Sequence, residues 1–119
     1  MADVRLGDAN GLPADLPWAA VLLLCGNPGL GGSFEGNRRL LARLAEVVAP
    51  GAVLIGDSVT PTGSPRASLR IRDRDLATPW WQQYNIPAGQ MTSLVDGTGW
   101  RMEWHLHDGE DHAVLLRRA

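Results

Sequence analysis

Gly26-Asn27-Pro28-Gly29-Leu30-Gly31-Gly32-Ser33 is the stretch whose residue types and spacing come nearest to a recognisable chemistry. A glycine loop that enters a helix presents backbone N–H groups to anions, and a phosphate-binding loop follows the pattern G-x-x-x-x-G-K-[ST]. Gly26, Gly31 and Ser33 satisfy that pattern, with Asp57 further on as a possible magnesium-binding acid. Gly32 stands where the lysine belongs, so the outer phosphates would lose their main counter-charge. A dinucleotide fingerprint fails as well, because Phe34 occupies the place of its third glycine. The loop is therefore expected to be a glycine-permitted turn from strand to helix, in a place where parallel sheets bind ligands.

Two other groupings have chemical residue types. Glu103, His105 and His107 alternate along one strand face, and His112 is expected to face them across a hairpin. Histidines with a carboxylate can hold a divalent metal, but a polar solvent face on an edge hairpin accounts for them, and no metal is assigned. Arg70, Arg72 and Arg74 near Trp80 and Trp81 have the composition of a stacking surface for nucleic acid. The interleaved Asp73 and Asp75 point instead to a solvated arginine face, so no nucleic-acid partner is expected. Trp80, Trp81 and Tyr84 lie in an irregular stretch, where they either line a ligand or partner surface or plug the core under a long loop. No Ser-His-Asp order or paired-carboxylate spacing stands out. Cys25, closing an apolar run, is expected to be a small core residue.

Composition narrows the classes further. All eleven cationic side chains are arginine, which removes Schiff-base and lysine-base mechanisms. The single cysteine excludes an internal disulfide framework. With 119 residues, 45% hydrophobic and 20% charged, the chain is expected to form one domain over residues 1–119. A net charge of -2 argues against coating nucleic acid or an anionic membrane. Trp18 to Cys25 is too short an apolar run to cross a bilayer. Asp3, Asp8 and Asp15 against Arg5 give the segment before it the wrong sign for a signal peptide, so a cytoplasmic location is expected.

The elements that must position these residues follow from periodicity. Ala19 to Leu24 has the continuous apolar pattern of a strand covered on both faces. Leu40, Leu41, Leu44, Val47 and Val48 recur at helical spacing, with Ser33 as the cap and Pro50-Gly51 as the stop. Ala52 to Ile55 is a second buried strand. Strand, helix and strand make a parallel crossover, so the fold class is α/β. Thr60 to Pro87 is irregular, with a short arginine-faced strand around Leu69 and Ile71. A short helix is expected over Gln90 to Val95. Trp100, Met102, Trp104 and Leu106 then alternate with polar residues, and Asp108-Gly109-Glu110-Asp111 turns the chain into His112 to Leu116, a terminal antiparallel hairpin.

Taken in series, these segments resemble class I S-adenosylmethionine-dependent methyltransferases. Val4-Arg5-Leu6-Gly7-Asp8-Ala9, then Leu12-Pro13 and Val21-Leu22-Leu23-Leu24, look like the family's "gDa…lp" segment and fourth strand. Gly26 to Gly32 is similar to the loop after that strand. Leu40 to Leu44 with Ala49-Pro50-Gly51-Ala52-Val53-Leu54-Ile55 resembles the following helix and fifth strand, and Gly99 to Arg117 the reversed final hairpin. The chain looks like the carboxyl-terminal half of such an enzyme, without the family's first strand and glycine-rich cofactor loop.

The resemblance implies a partial Rossmann-like sheet of parallel strands with helices on both faces and a C-terminal antiparallel hairpin. It implies S-adenosylmethionine as cofactor and a small-molecule methyl acceptor. Asp8 would accept a hydrogen bond from the adenine amino group, with Ala9 against the ring. Gly26 and Asn27 would line the methionine end, and Ser33, Trp80, Trp81 and Tyr84 would border the acceptor. A half-domain is expected to self-associate or to join a chain that supplies the missing strands. The competing expectation is a dimeric binding or regulatory module without catalysis.

Overall fold

A computed structural model describes residues 7–12 and 18–119. Asp3 to Leu6, Pro13 and Asp15, which entered the sequence reading, lie outside the described residues. Strand β1 (Trp18–Leu23) leads through a 3-10 turn (Asn27–Gly29) into helix α1 (Phe34–Val47) and strand β2 (Val48–Val59). β1 and β2 are parallel, with Leu22 opposite Ile55. Helix α1 begins as expected, for Ser33 Oγ accepts from the Gly36 N–H at 2.9 Å. It ends earlier than Pro50-Gly51, at Val47, and Pro50 and Gly51 belong to β2. A proline pushes the residue before it toward extended backbone, so the chain has left the helix before Ala49.

The irregular stretch contains an arm of small antiparallel pairs. β3 (Arg66–Leu69) pairs with β6 (Trp81–Tyr84), and β4 (Arg72–Asp73) with β5 (Leu76–Ala77). The arginine-faced strand is thus split at Arg70-Ile71, and both Leu69 and Ile71 are exposed. A short helix, α2 (Met91–Val95), precedes the hairpin of β7 (Trp100–Asp108) and β8 (Asp111–Arg118), in which Gly109 takes φ 62° at the turn. The main sheet has the order β1-β2-β8-β7, with β8 antiparallel to both neighbours.

Both helices pack on one side of this mixed sheet. Leu40, Leu41 and Leu44 of α1 and Leu94 of α2 form one core with Leu54, Val114 and Leu116. Each fully buried leucine contributes about 1.5–3 kcal/mol by leaving water. Polar ties fix the helices: Arg38 donates to the carbonyls of Ser93 and Asp96 at the end of α2, and the Trp100 indole N–H donates to Leu41 O at 2.8 Å. The expected helices on both faces are reduced to one face among the described residues. β1 is therefore not covered on both faces, and Ala19, Ala20 and Leu22 are exposed. Its apolar sequence matches a central strand, but among the described residues it is the edge. Among the described residues no helix is long and apolar enough to cross a membrane.

Candidate functional site

Two pockets draw lining residues from the loop between β1 and α1. One, of about 390 Å3, is lined by Cys25, Gly26, Asp57, Gln83, Asn85 and Asp111 among others. Its floor is built from backbone: the Gly26 N–H donates to Asp57 Oδ1 at 2.8 Å, and Gly26 O accepts from Gln83 Nε2 at 3.3 Å. Cys25 and Gly26 both have positive φ, 58° and 80°, which turns the chain sharply away from the sheet. Cys25 is exposed at this turn, not in the core as its sequence context suggested. The strand ends at Leu23, two residues before it.

The second pocket, of about 310 Å3, is lined by Asp8, Ala9, Leu30 and Trp81. Three of the residues singled out in the sequence thus meet here from distant parts of the chain. Arg43 of α1 donates to Leu12 O at 2.6 Å and so ties the Asp8-bearing segment to the helix. The Trp81 indole nitrogen is buried without a hydrogen-bond partner. One carboxylate, the small Ala9 and the side chains of Leu30 and Trp81 thus line this pocket.

The remaining candidates are placed apart from that pocket. Ser33 caps α1. Tyr84 is buried, with its hydroxyl donating to Gln90 Oε1 at 2.6 Å, so of the two roles considered it takes the core one. Trp80 is exposed on the arm, where the Arg70 guanidinium lies 4.5 Å from its ring centroid. Asn27 opens the 3-10 turn. The glycines of the loop serve close packing. A Cβ on Gly31 would stand 2.2 Å from the Gly36 backbone, and one on Gly29 would stand 2.2 Å from Tyr84 O.

The histidines form a separate cluster on the hairpin. His107 stands directly opposite His112, and His105 Nε2 and His112 Nδ1 are 2.8 Å apart. His112 is buried, with Nε2 2.7 Å from Ile86 O. Burial first, then the neighbouring rings, holds His105 below the usual imidazole range. Glu103 does not join them, for it pairs with Arg117, whose hydrogen bond lowers its pKa. Asp57, Gln83 and Asn85 were not picked as site residues from the sequence. Asp57 had a signal, its place after the second apolar run, whereas the two amides had none.

No protein-family model matches the sequence, and no curated protein matches it. Solved structures do. An S-adenosylmethionine-dependent methyltransferase from Bacteroides fragilis, in complex with S-adenosylhomocysteine, superposes with a TM-score of 0.72 at 16% identity, over 87% of this chain and 48% of that one. The CcbJ methyltransferase of Streptomyces caelestis gives 0.72 at 9% identity, over 96% and 62%. A methyltransferase from Clostridium acetobutylicum gives 0.71 at 7%, over 95% and 63%. The fold is that of part of an S-adenosylmethionine-dependent methyltransferase. The chain spans about half to two thirds of the length of these relatives in structure. The pocket at Gly26 and Asp57 lies where open α/β sheets bind ligands, beyond the carboxyl ends of parallel strands.

Proposed function

We propose that this chain forms one part of an S-adenosylmethionine-dependent methyltransferase site, acts on a small-molecule acceptor, and needs a second chain to complete the cofactor pocket. The observation that carries this reading is the meeting of Asp8, Ala9 and Trp81 in one pocket, with a second pocket at the Gly26 turn, on a fold of this kind. Bound S-adenosylmethionine supplies an electrophilic methyl group to an oxygen, nitrogen or carbon nucleophile. The chain's own residues would hold and orient it. Asp8 would accept from the adenine amino group, Ala9 and Leu30 would flank the ring, and the Gly26 turn would line the methionine end. The contribution would be positioning, which alone can supply much of a transfer rate.

Calorimetric titration with S-adenosylmethionine and S-adenosylhomocysteine tests this. Saturable binding near one site per completed protein, lost in Asp8→Ala, is the expected result. Absence of binding at millimolar ligand, both for the chain alone and for the chain completed by a complementary polypeptide, overturns it. The second reading is a non-catalytic binding module, favoured by the exposed Ile71, Leu76 and Trp80 on the arm. Under that reading Asp8→Ala is silent.

A further inference from the structure

We infer that the histidines of the terminal hairpin form a proton-operated latch on the root of the arm, closed while His105 and His112 carry no more than one added proton between them and opened by the second. The chain has three histidines, and all of them meet at this one place. What they hold is the backbone of Ile86, which is fully buried two residues after the arm strand β6. The Ile86 N–H donates to Ser58 Oγ at 3.0 Å, and its carbonyl lies 2.7 Å from His112 Nε2. Ser58 and His112 stand opposite each other on β2 and β8. One cross-strand pair thus holds both backbone groups of a residue that has no water to turn to.

The hydrogen-bond partners fix where the protons are. A carbonyl only accepts, so His112 Nε2 carries the hydrogen, and the neutral ring leaves Nδ1 bare. His105 Nε2, 2.8 Å from that Nδ1, is then the donor. One added proton can be shared by this pair, because a single hydrogen still lies between the two nitrogens. A second puts an N–H on each side of the 2.8 Å gap, beside a His112 ring that is 3% exposed. A buried charge with an unbonded N–H does not stay in place, so the ring must leave Ile86 to take the proton. Burial and the neighbouring rings, which hold His105 below the usual imidazole range, act in the same direction.

The other titratable groups around the pair do not relieve it. From β7, His107 lies with its ring centroid 4.2 Å from His105 and 6.1 Å from His112, and its charge adds repulsion. Glu103 on the same strand is engaged by Arg117. From β2, Asp57 projects to the face opposite Ser58 and accepts from Gly26. Residues 85–90 and α2 carry no titratable side chain. At the turn, Asp108 and Asp111 border a cleft of about 380 Å3 with His107 and His112, and Glu110 lies between them in sequence. Among the described residues none of these carboxylates forms an ion pair with a histidine. Opening reaches the pockets through the arm. Gln83 Nε2 donates to Gly26 O, Asn85 lines that pocket, and Trp81 lines the one beside Asp8. Releasing Ile86 frees the near end of β6, so acid loosens the walls these three residues provide.

The test is amide exchange of the full chain at pH 7.5 and pH 5.5, one unit either side of the ordinary imidazole value of 6.5. Each rate is taken relative to that of an unstructured peptide at the same pH. The Ile86 amide should lose protection by about tenfold or more at the lower pH, the factor for uptake of at least one further proton on opening. Leu54, buried within β2, should remain about tenfold or more better protected than Ile86 at both pH values, because the latch opens without the sheet. His112→Gln supplies an uncharged side chain that can donate to Ile86 O and accept from His105, and it should remove most of the acid loss at Ile86. The ring nitrogen shifts of the histidines give a reading that needs no variant: at pH 7.5 both His105 and His112 should carry their hydrogen on Nε2. A His112 hydrogen on Nδ1 at that pH would overturn the inference. So would unchanged Ile86 protection while both rings become charged, or a folded His112→Gln chain with the full acid loss. Equal protection of Ile86 and Leu54 would overturn it as well, since the domain would then open as a whole.

Discussion

The Asp57 carboxylate accepts the Gly26 N–H at 2.8 Å, joining the ends of the two parallel strands at the floor of a pocket. Because Cys25 and Gly26 both hold positive φ, this bond fixes a turn that the backbone alone would not favour. Removing the acceptor leaves a partly buried N–H unsatisfied. Asp57→Ala should cost about 1–3 kcal/mol, seen as a lower thermal midpoint by circular dichroism. Asp57→Asn keeps an acceptor oxygen and should recover most of the loss. Equal losses in the two variants would show that charge, not the bond to Gly26, matters.

Gly31 and Gly36 touch backbone to backbone where the loop meets the first turn of α1, and a Cβ at Gly31 has no room. Gly31→Ala should destabilise the fold by about 3 kcal/mol, the upper range for overpacking. At Gly51 a Cβ meets nothing within 4 Å, and only its φ of 78° opposes a side chain. Gly51→Ala should therefore cost about 1–2 kcal/mol. Chemical denaturation of the two variants gives the comparison. Similar costs would mean that the loop relaxes, and that its glycines are not there for packing.

Acid should act in two separate windows. Burial keeps the His105 pKa in the folded chain below its unfolded value, so the unfolded state binds the proton more readily. Stability from this source is complete above the unfolded histidine value of 6.5 and declines as pH falls below it. Glu103 is lowered by the hydrogen bond from Arg117, so its contribution is present above the unfolded value of 4.5 and is lost as pH falls through the folded value. Thermal melts from pH 7 to pH 5 should show a decline that His105→Phe flattens and Glu103→Gln leaves unchanged. A Glu103→Gln effect in that interval would contradict the assignment.

The parts legible in the sequence are those whose cause is local. α1 follows from leucines at helical spacing with Ser33 as acceptor for Gly36, and the terminal hairpin from strict alternation around Gly109. What was misread depends on neighbours. Ala19 to Leu24 has the composition of a central strand, but composition does not report whether another strand lies beside it. The exposure of Leu22 follows from the uncovered face of the sheet, and that of Cys25 from the turn beyond the strand. The arm escaped notice because Gln82 and Gln83 break the apolar alternation, yet they still pair with Ser68 and Ala67. Asp8 and Ala9 were found through the family resemblance and not from their own chemistry. Asn85 and Gln83 enter the pocket only because the arm folds back on Gly26.

The three aromatic candidates of the arm separate into three roles, and this makes the site testable residue by residue. Trp81 shares a pocket with Asp8 and Ala9, Tyr84 is buried in the core, and Trp80 faces solvent beside Arg70. In a protein completed by a second chain, Asp8→Ala and Trp81→Ala should each weaken S-adenosylhomocysteine about tenfold or more. That is the effect of losing one charge-assisted hydrogen bond or one aromatic wall. Trp80→Ala should leave cofactor affinity within twofold, because its ring packs on Arg70 and lines neither of the two pockets described above. Tyr84→Phe should lower stability by about 1 kcal/mol through its lost bond to Gln90, without a separate effect on affinity. Titrations and melts on the four variants decide the matter together. If Trp80→Ala weakens the cofactor as much as Trp81→Ala, the arm closes over the ligand and the pocket beside Asp8 is not the whole site. If Asp8→Ala and Trp81→Ala are both silent while the cofactor still binds, the adenosyl group lies elsewhere and the placement on this pocket is wrong.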